Sequence, residues 1–206
     1  MAAIIFDFDG TIADSRDYII NFIAKESGRG ELSLEEKHAL YGMSILSIAR
    51  RLGYRWWRLP KLFFKGRQKM AHGIINIKPF DGIVGVIKKL HAEGHELFIV
   101  SSNSVITIRS FLKRNHIREQ FLEVYGGIEI FGKSPIFRQL IGDHNLNSKQ
   151  VICIGDELRD IEAGQAAGIA TIAVTWGFAG HDNLINLKPT AVAEKPEDII
   201  TILEEL

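Results

Sequence analysis

Four short stretches of the 206-residue sequence hold the residue types that phosphate and metal chemistry call for. Asp7-Phe8-Asp9-Gly10-Thr11 sets a pair of carboxylates close together with a hydroxyl behind them. Ser101-Ser102-Asn103 offers hydroxyls and an amide, Lys133-Ser134-Pro135 an amine, and Gly155-Asp156-Glu157-Leu158-Arg159-Asp160 further carboxylates. Carboxylates gathered in such number repel one another unless a cation sits among them, and their hard oxygens suit Mg2+. A lysine and a hydroxyl beside that ion would make a seat for a dianionic phosphate.

These stretches act together only if the fold brings them together. Short apolar runs at Ala2–Phe6, Leu97–Val100, Leu122–Tyr125, Val151–Ile154 and Ile169–Val174 are rich in Ile and Val, without clean alternation. That is the pattern of strands buried on both faces. Helical patterns lie between them: Ile83–Ala92 closed by Gly94, Ser104–Arg114, Pro135–Ile141, Glu157–Ala167 ending at Gly168, and Pro196–Leu206. Pro135 fits a first helical position, where its missing N–H is unpaired anyway. Alternating strands and helices predict an α/β fold, doubly wound around a mostly parallel sheet. In such sheets ligands bind at the carboxyl ends of the strands, which is where the chemical stretches fall.

The alternation breaks between Arg16 and Pro79, where no strand pattern occurs but several helical segments do. Ser33-Leu34-Glu35-Glu36 reads as a capping box, with helices expected over Ser44–Leu52 and about Pro60–Ala71. The expected organisation is therefore an α/β core of residues 1–15 and 80–206, with a helical cap, residues 16–79, inserted in it.

With these motifs in order, the chain resembles the haloacid dehalogenase superfamily over essentially its whole length. Asp7 to Thr11 resembles the family's first motif, and Ser101 its strand-ending hydroxyl. Lys133 matches its lysine before a helix, and Gly155-Asp156 with Asp160 its fourth motif. Asp14-Ser15 and Trp176-Gly177 resemble neighbours of these motifs in phosphoglycolate-phosphatase-like members, and the helical insert resembles the family's first type of cap. The resemblance implies a Rossmann-like core and gives each residue a role. Asp7 would be the nucleophile, forming an aspartyl-phosphate. Asp9 would be the acid and then the base. Mg2+ would be held by Asp7, Asp156 and the backbone carbonyl of Asp9. Ser101 and Lys133 would grip phosphate oxygens, with Thr11, Ser102 and Asn103 as further substrate contacts, and Asp160 would orient Lys133 or a metal-bound water from behind. Dehalogenase members have no aspartate at the position of Asp9, so the resemblance points to phosphotransfer: a phosphatase or, alternatively, a phosphomutase.

Other readings compete. Gly127-Ile128-Glu129-Ile130-Phe131-Gly132-Lys133-Ser134 fits the spacing of a phosphate-binding P-loop. Against it, Ile128, Ile130 and Phe131 are bulky where such a loop wants permissive residues, and Pro135 removes a donor at the helix start. A catalytically idle binding module is the reading from another class, but such proteins usually lose one of the key residues and none is lost here. The stretch Arg50–Arg58 mixes bases with aromatics; it reads as a helix end with aromatic packing in the cap rather than a nucleic-acid surface. Arg50, Lys65 and Arg67 are candidates to touch an anionic substrate tail, and His181-Asp182 is expected in a surface loop.

Bulk properties agree with a small-molecule enzyme. Lys plus Arg and Asp plus Glu are both 25, so no global charge draws the chain to nucleic acid or anionic membranes. No apolar run nears the roughly 20 residues of a membrane-spanning helix, and the amino terminus lacks the basic region of a signal peptide. The lone cysteine, Cys153, sits in an apolar run, reads as a buried strand residue, and fits a reducing compartment. The expectation is a cytoplasmic monomer or homodimer whose partner is a small phosphorylated metabolite.

Overall fold

The computed structural model describes residues 1–128 and 132–206. Six strands form one sheet: β1 (Ala3–Phe6), β2 (Glu96–Val100), β3 (Phe121–Tyr125), β4 (Val151–Gly155), β5 (Ala170–Val174) and β6 (Ala191–Ala193). Their order is β3-β2-β1-β4-β5-β6, and every neighbouring pair is parallel. The order reverses at β1, so the ends of β1, β2 and β4 meet at the switch point where ligands bind in open α/β sheets.

The side chains explain the layering. Ile4 and Phe6 of β1 point to one face, with Ile99 and Ile154; Ala3 and Ile5 point to the other, with Phe98 and Cys153. Helices α5 (Ile83–Ala92), α6 (Val105–Arg114) and α10 (Asp198–Glu205) cover the first face. The second face is covered by α7 (Lys133–Asp143) and α8 (Leu158–Ala167). Both faces being covered, the central strands carry unbroken apolar runs.

Several expectations shift. The strand β6 escaped the pattern because three residues at the sheet edge give too little periodicity. β3 is the other edge, so Leu122 is exposed rather than doubly buried. α7 begins at Lys133, which makes Pro135 its third residue; the first turn's N–H groups have no intrahelical acceptor, so the ring is tolerated there too. His181 and Asp182 open a short helix, α9 (His181–Ile185), instead of a loop.

Between β1 and β2 lies a helical block: α1 (Arg16–Glu26), α2 (Leu34–His38), α3 (Ile45–Arg51) and α4 (Leu59–Gly73). Ser33 and Glu36 form the capping box at the start of α2, and Ser44 caps α3 through the Ser47 N–H. The two chain passages joining block and sheet lie side by side, with Asp14 N donating to Lys78 O at 2.9 Å and Phe80 N to Ile12 O at 3.1 Å. The block has its own apolar centre, including Ile20, Ile23, Leu40, Ile48 and Leu62. Phe178, from the segment after β5, is fully buried in that centre. No helix among the described residues is long and apolar enough to cross a membrane.

Phe178 is thus a core-borne plug in the helical block. Phe178→Ala should lower stability by about 3–5 kcal/mol, the usual cost of deleting a buried ring. Urea unfolding followed by circular dichroism would measure it; a loss under about 1 kcal/mol would mean that the ring does not join the two parts.

Candidate active site

The segment after β1 turns sharply enough to return its own backbone: Gly10 N donates to Ala13 O at 2.9 Å, and Ile12 and Ala13 both donate to Phe8 O. Gly10 takes φ +88°, where a side chain is strained, and a β-carbon there would overlap the Asp156 carboxylate. A β-carbon at Gly177 would overlap it as well. Glycine at both positions lets the first and fourth motifs close on one another.

Asp7 is buried at the tip of β1. Its Oδ1 accepts from Phe8 N at 2.7 Å and lies 2.8 Å from Lys133 Nζ. Its Oδ2 is buried with no hydrogen-bond partner among the described residues. Lys133 also donates to Asp160 Oδ1 at 2.6 Å, while Asp160 Oδ2 accepts from Glu157 N at 3.0 Å. Asp160 is therefore spent on holding the lysine and the start of α8. Asp156 accepts from Thr11 Oγ1 at 2.8 Å and from Phe178 N at 2.7 Å. Asp9, partly buried, accepts from Asn103 Nδ2 at 3.0 Å through Oδ2, and its Oδ1 is buried and unpartnered among the described residues.

The sequence-derived residues thus converge, with differences in placement. Thr11, expected at the substrate, is fully buried with its hydroxyl on Asp156, and serves that carboxylate instead. Ser101 is buried directly after β2; its Oγ accepts from Asn103 N at 3.1 Å and keeps its own proton to donate. Ser102 and Asn103 line the cavity above the site. Arg159 was not singled out from the sequence, although its position between Asp156 and Asp160 signalled it. It lines the same cavity, with Nε 2.6 Å from Glu157 Oε2. Of the cap cations, Arg67 reaches the cavity, Lys65 pairs with Glu26 at 2.6 Å, and Arg50 is exposed. The aromatic stretch does not pack inward as expected: Trp56 and Trp57 are exposed and line the cavity.

Five carboxylates, Asp7, Asp9, Asp156, Glu157 and Asp160, meet two cations, Lys133 and Arg159. Burial pushes Asp7 and Asp156 above the usual aspartate value; the Lys133 charge opposes this at Asp7, and the Asp7 charge adds to it at Asp156. Burial and the neighbouring Asp7 charge raise Asp9 to about 6. Burial works against the Lys133 charge, but Asp160 and Asp7 outweigh it and hold the ammonium above its ordinary value. Carboxylate oxygens of Asp7, Asp156 and Asp160 lie within 4.8 Å of one another. A divalent ion fits beside Asp7 and Asp156, with Asp160 already occupied: Asp7 Oδ2 has no partner among the described residues, the carboxylates outnumber the cations set among them, and the donors are hard oxygens.

A parallel α/β sheet whose switch point holds a paired-aspartate turn, a buried lysine and a further aspartate defines a hydrolase of the phosphoryl-transfer kind. Residues 4–174 match the family model described as haloacid dehalogenase-like hydrolase. The chain belongs to that family, on its phosphatase side. It is 31% identical over 209 residues to a phosphoglycolate phosphatase of Synechococcus elongatus, covering 100% of this chain and 99% of that one. A 5'-nucleotidase of Pseudomonas aeruginosa is 27% identical over 198 residues, covering 91% and 88%. A haloacid dehalogenase-like hydrolase of Streptococcus pneumoniae superposes with a TM-score of 0.79 at 25% identity, covering 98% of each chain. The P-loop reading gives way: its segment follows the edge strand β3, not the switch point, and Lys133 is committed to Asp7 and Asp160. Glu129, Ile130 and Phe131 of that segment lie outside the described residues.

The raised carboxylates set a linkage. A carboxyl whose folded pKa exceeds its unfolded one, 3.8 for Asp, favours folding while protonated and loses that contribution as pH rises through the folded value, about 6 for Asp9. The metal-free protein should therefore weaken between about pH 4 and above pH 6. Mg2+ should raise the melting temperature more at pH 7.5 than at pH 5.5, because protons compete for its ligands. Asp156→Asn should abolish that gain while leaving the metal-free protein at least as stable, since one repelling charge is gone and the Thr11 hydroxyl can turn to accept. A scanning-fluorimetry titration of both proteins decides; an equal Mg2+ response would remove Asp156 from the ion site.

Proposed function

We propose that the protein is a Mg2+-dependent phosphomonoester hydrolase that acts on a small phosphorylated metabolite through a phosphorylated Asp7. The observation that carries this reading is the state of Asp7. One oxygen is fixed by Lys133 and Phe8 N, the other has no partner among the described residues, and Asp9 stands beside it on the cavity.

In this reading Asp7, Asp156 and the Asp9 carbonyl would hold the ion. Bound there, Mg2+ would screen the repulsion between carboxylate and phosphate. Asp7 attacks phosphorus as the bond to the leaving oxygen breaks, and Lys133 and the Ser101 hydroxyl steady the equatorial oxygens. Asp9, whose raised pKa keeps a proton available, delivers it to the departing alkoxide. Water then attacks the aspartyl-phosphate, Asp9 takes its proton, and phosphate leaves with Asp7 restored. Asn103 aims Asp9 throughout. Asp160 acts at one remove, holding Lys133 in place. The helical block, residues 16–79, serves as the cap that meets the rest of the substrate, and the names of two relatives, a phosphoglycolate phosphatase and a 5'-nucleotidase, make phosphoglycolate and 5'-nucleotides natural first substrates to try.

Two variants separate the roles. Asp7→Asn should lose at least about a thousandfold in kcat, since an amide is a poor nucleophile. With an aryl phosphate, whose leaving group needs little acid help, Asp9→Asn should still be phosphorylated on Asp7 and accumulate the adduct. Intact-mass analysis after acid quench, with peptide mapping, reads this directly. A phosphoryl group on Ser101 or Ser102, or on Asp7→Asn, would remove Asp7 as the nucleophile. Undiminished turnover after exhaustive chelation would remove the metal.

A further inference from the structure

Between the cap helices and the ends of β1 and β2 lies a cavity of about 730 Å³. Pockets of about 300–1,000 Å³ enclose whole drug-sized ligands, so there is room for far more than a two-carbon phosphoester. The two ends of the cavity differ in chemistry. Asp9, Ser102, Asn103 and Arg159 form the core end, where phosphate would sit. The cap end is walled by Phe22, Ile45, Leu46, Trp56, Trp57 and Phe63. Its polar side chains among the described residues are Tyr18 and Arg67, and each has one donor turned to the backbone, while the Arg67 guanidinium keeps its charge and its other N–H groups. The Tyr18 hydroxyl donates to Lys69 O at 2.8 Å and Arg67 Nη1 to Gly127 O at 3.3 Å.

A carboxylate or polyhydroxylated leaving group would surrender water in this wall and find few partners, which is costly. An apolar one would gain. Trp56 and Trp57 are 75% and 55% exposed, an unusual outlay of aromatic surface at a cavity rim. Aromatic rings gain from one another beyond the area they bury. We infer that the cap selects phosphomonoesters whose alcohol part is an aromatic ring system, in preference to small anionic esters such as phosphoglycolate. The inference rests on the phosphomonoesterase reading above: one water is consumed, the P–O bond to the leaving group breaks, and the aromatic alcohol and inorganic phosphate depart.

Steady-state kinetics with Mg2+ test it in pairs chosen so that leaving-group chemistry is comparable. 2-Naphthyl phosphate should exceed phenyl phosphate in kcat/KM by about tenfold or more, mainly through KM. 2-Phenylethyl phosphate should exceed both 2-phosphoglycolate and n-octyl phosphate. In Trp57→Ala and Phe63→Ala the naphthyl-to-phenyl ratio should fall toward one. A higher kcat/KM for phosphoglycolate than for 2-phenylethyl phosphate, lost in Arg67→Ala, would overturn the inference and leave the phosphatase reading standing. Octyl phosphate equalling the phenylethyl ester would overturn the aromatic preference. Without turnover of any ester the phosphatase reading fails, and calorimetric titration then decides the cavity's preference separately. Tighter binding of 2-naphthyl phosphate than of phosphoglycolate would uphold it, and equal or absent binding would end it.

Discussion

Negative charge confined in a small, dry volume is the constraint around which this chain is arranged. Five carboxylates converge at the ends of β1 and β4, and Lys133 and Arg159 are the cations set among them. Charges out of water are tolerated only when paired and hydrogen-bonded. Each local oddity of the site answers that demand. Thr11 and Phe178 N donate to Asp156, Glu157 N donates to Asp160, and Asn103 donates to Asp9. Gly10 and Gly177 give up side chains so that Asp156 can fit between them. Among the described residues one oxygen each of Asp7, Asp9 and Glu157 stays without a hydrogen-bond partner, and of these Asp9 opens on the cavity, beside Asp7, where the chemistry is expected.

Much of this arrangement could be read from the chain. The central strands announced themselves because burial on both faces leaves uninterrupted Ile and Val runs, and Asp7, Ser101 and Asp156 stood directly after them, while Lys133 comes later, at the start of α7. β6 could not be read, because three edge residues have no period. Thr11 was misjudged because a hydroxyl next to a catalytic aspartate looks the same in sequence whether it faces substrate or a neighbouring carboxylate. Arg159 was passed over because a single arginine in an acidic run reads as surface compensation until α8 turns it toward the cavity. The walls of the cap cavity were equally hidden, since Trp56, Trp57 and Phe63 come from turns and helices whose relative orientation no local pattern sets.

The division of labour between the two parts follows from how they are built. The sheet carries the groups proposed to handle phosphate on rigid strand ends, where positions are held by register and by packing on both faces. The helical block is held by its own apolar centre, so its inner wall can change without disturbing the carboxylates. Proteins sharing the core chemistry can therefore carry different names, as the phosphoglycolate phosphatase and the 5'-nucleotidase among the relatives do.

Phe178 qualifies that independence. Its ring is seated in the helical block while its own N–H holds Asp156 Oδ2 at 2.7 Å. Its neighbours tighten the junction: Gly180 N donates to Gly42 O at 2.9 Å, and Arg16 reaches Gly177 O at 3.1 Å. Any swing of the block must pull on the residue that steadies Asp156, and any tightening of that carboxylate must resist the swing. Free-energy linkage is reciprocal, so with the proposed ion on Asp156, its loading and closure of the block over a guest would become a single shared equilibrium, with one phenylalanine as its axle.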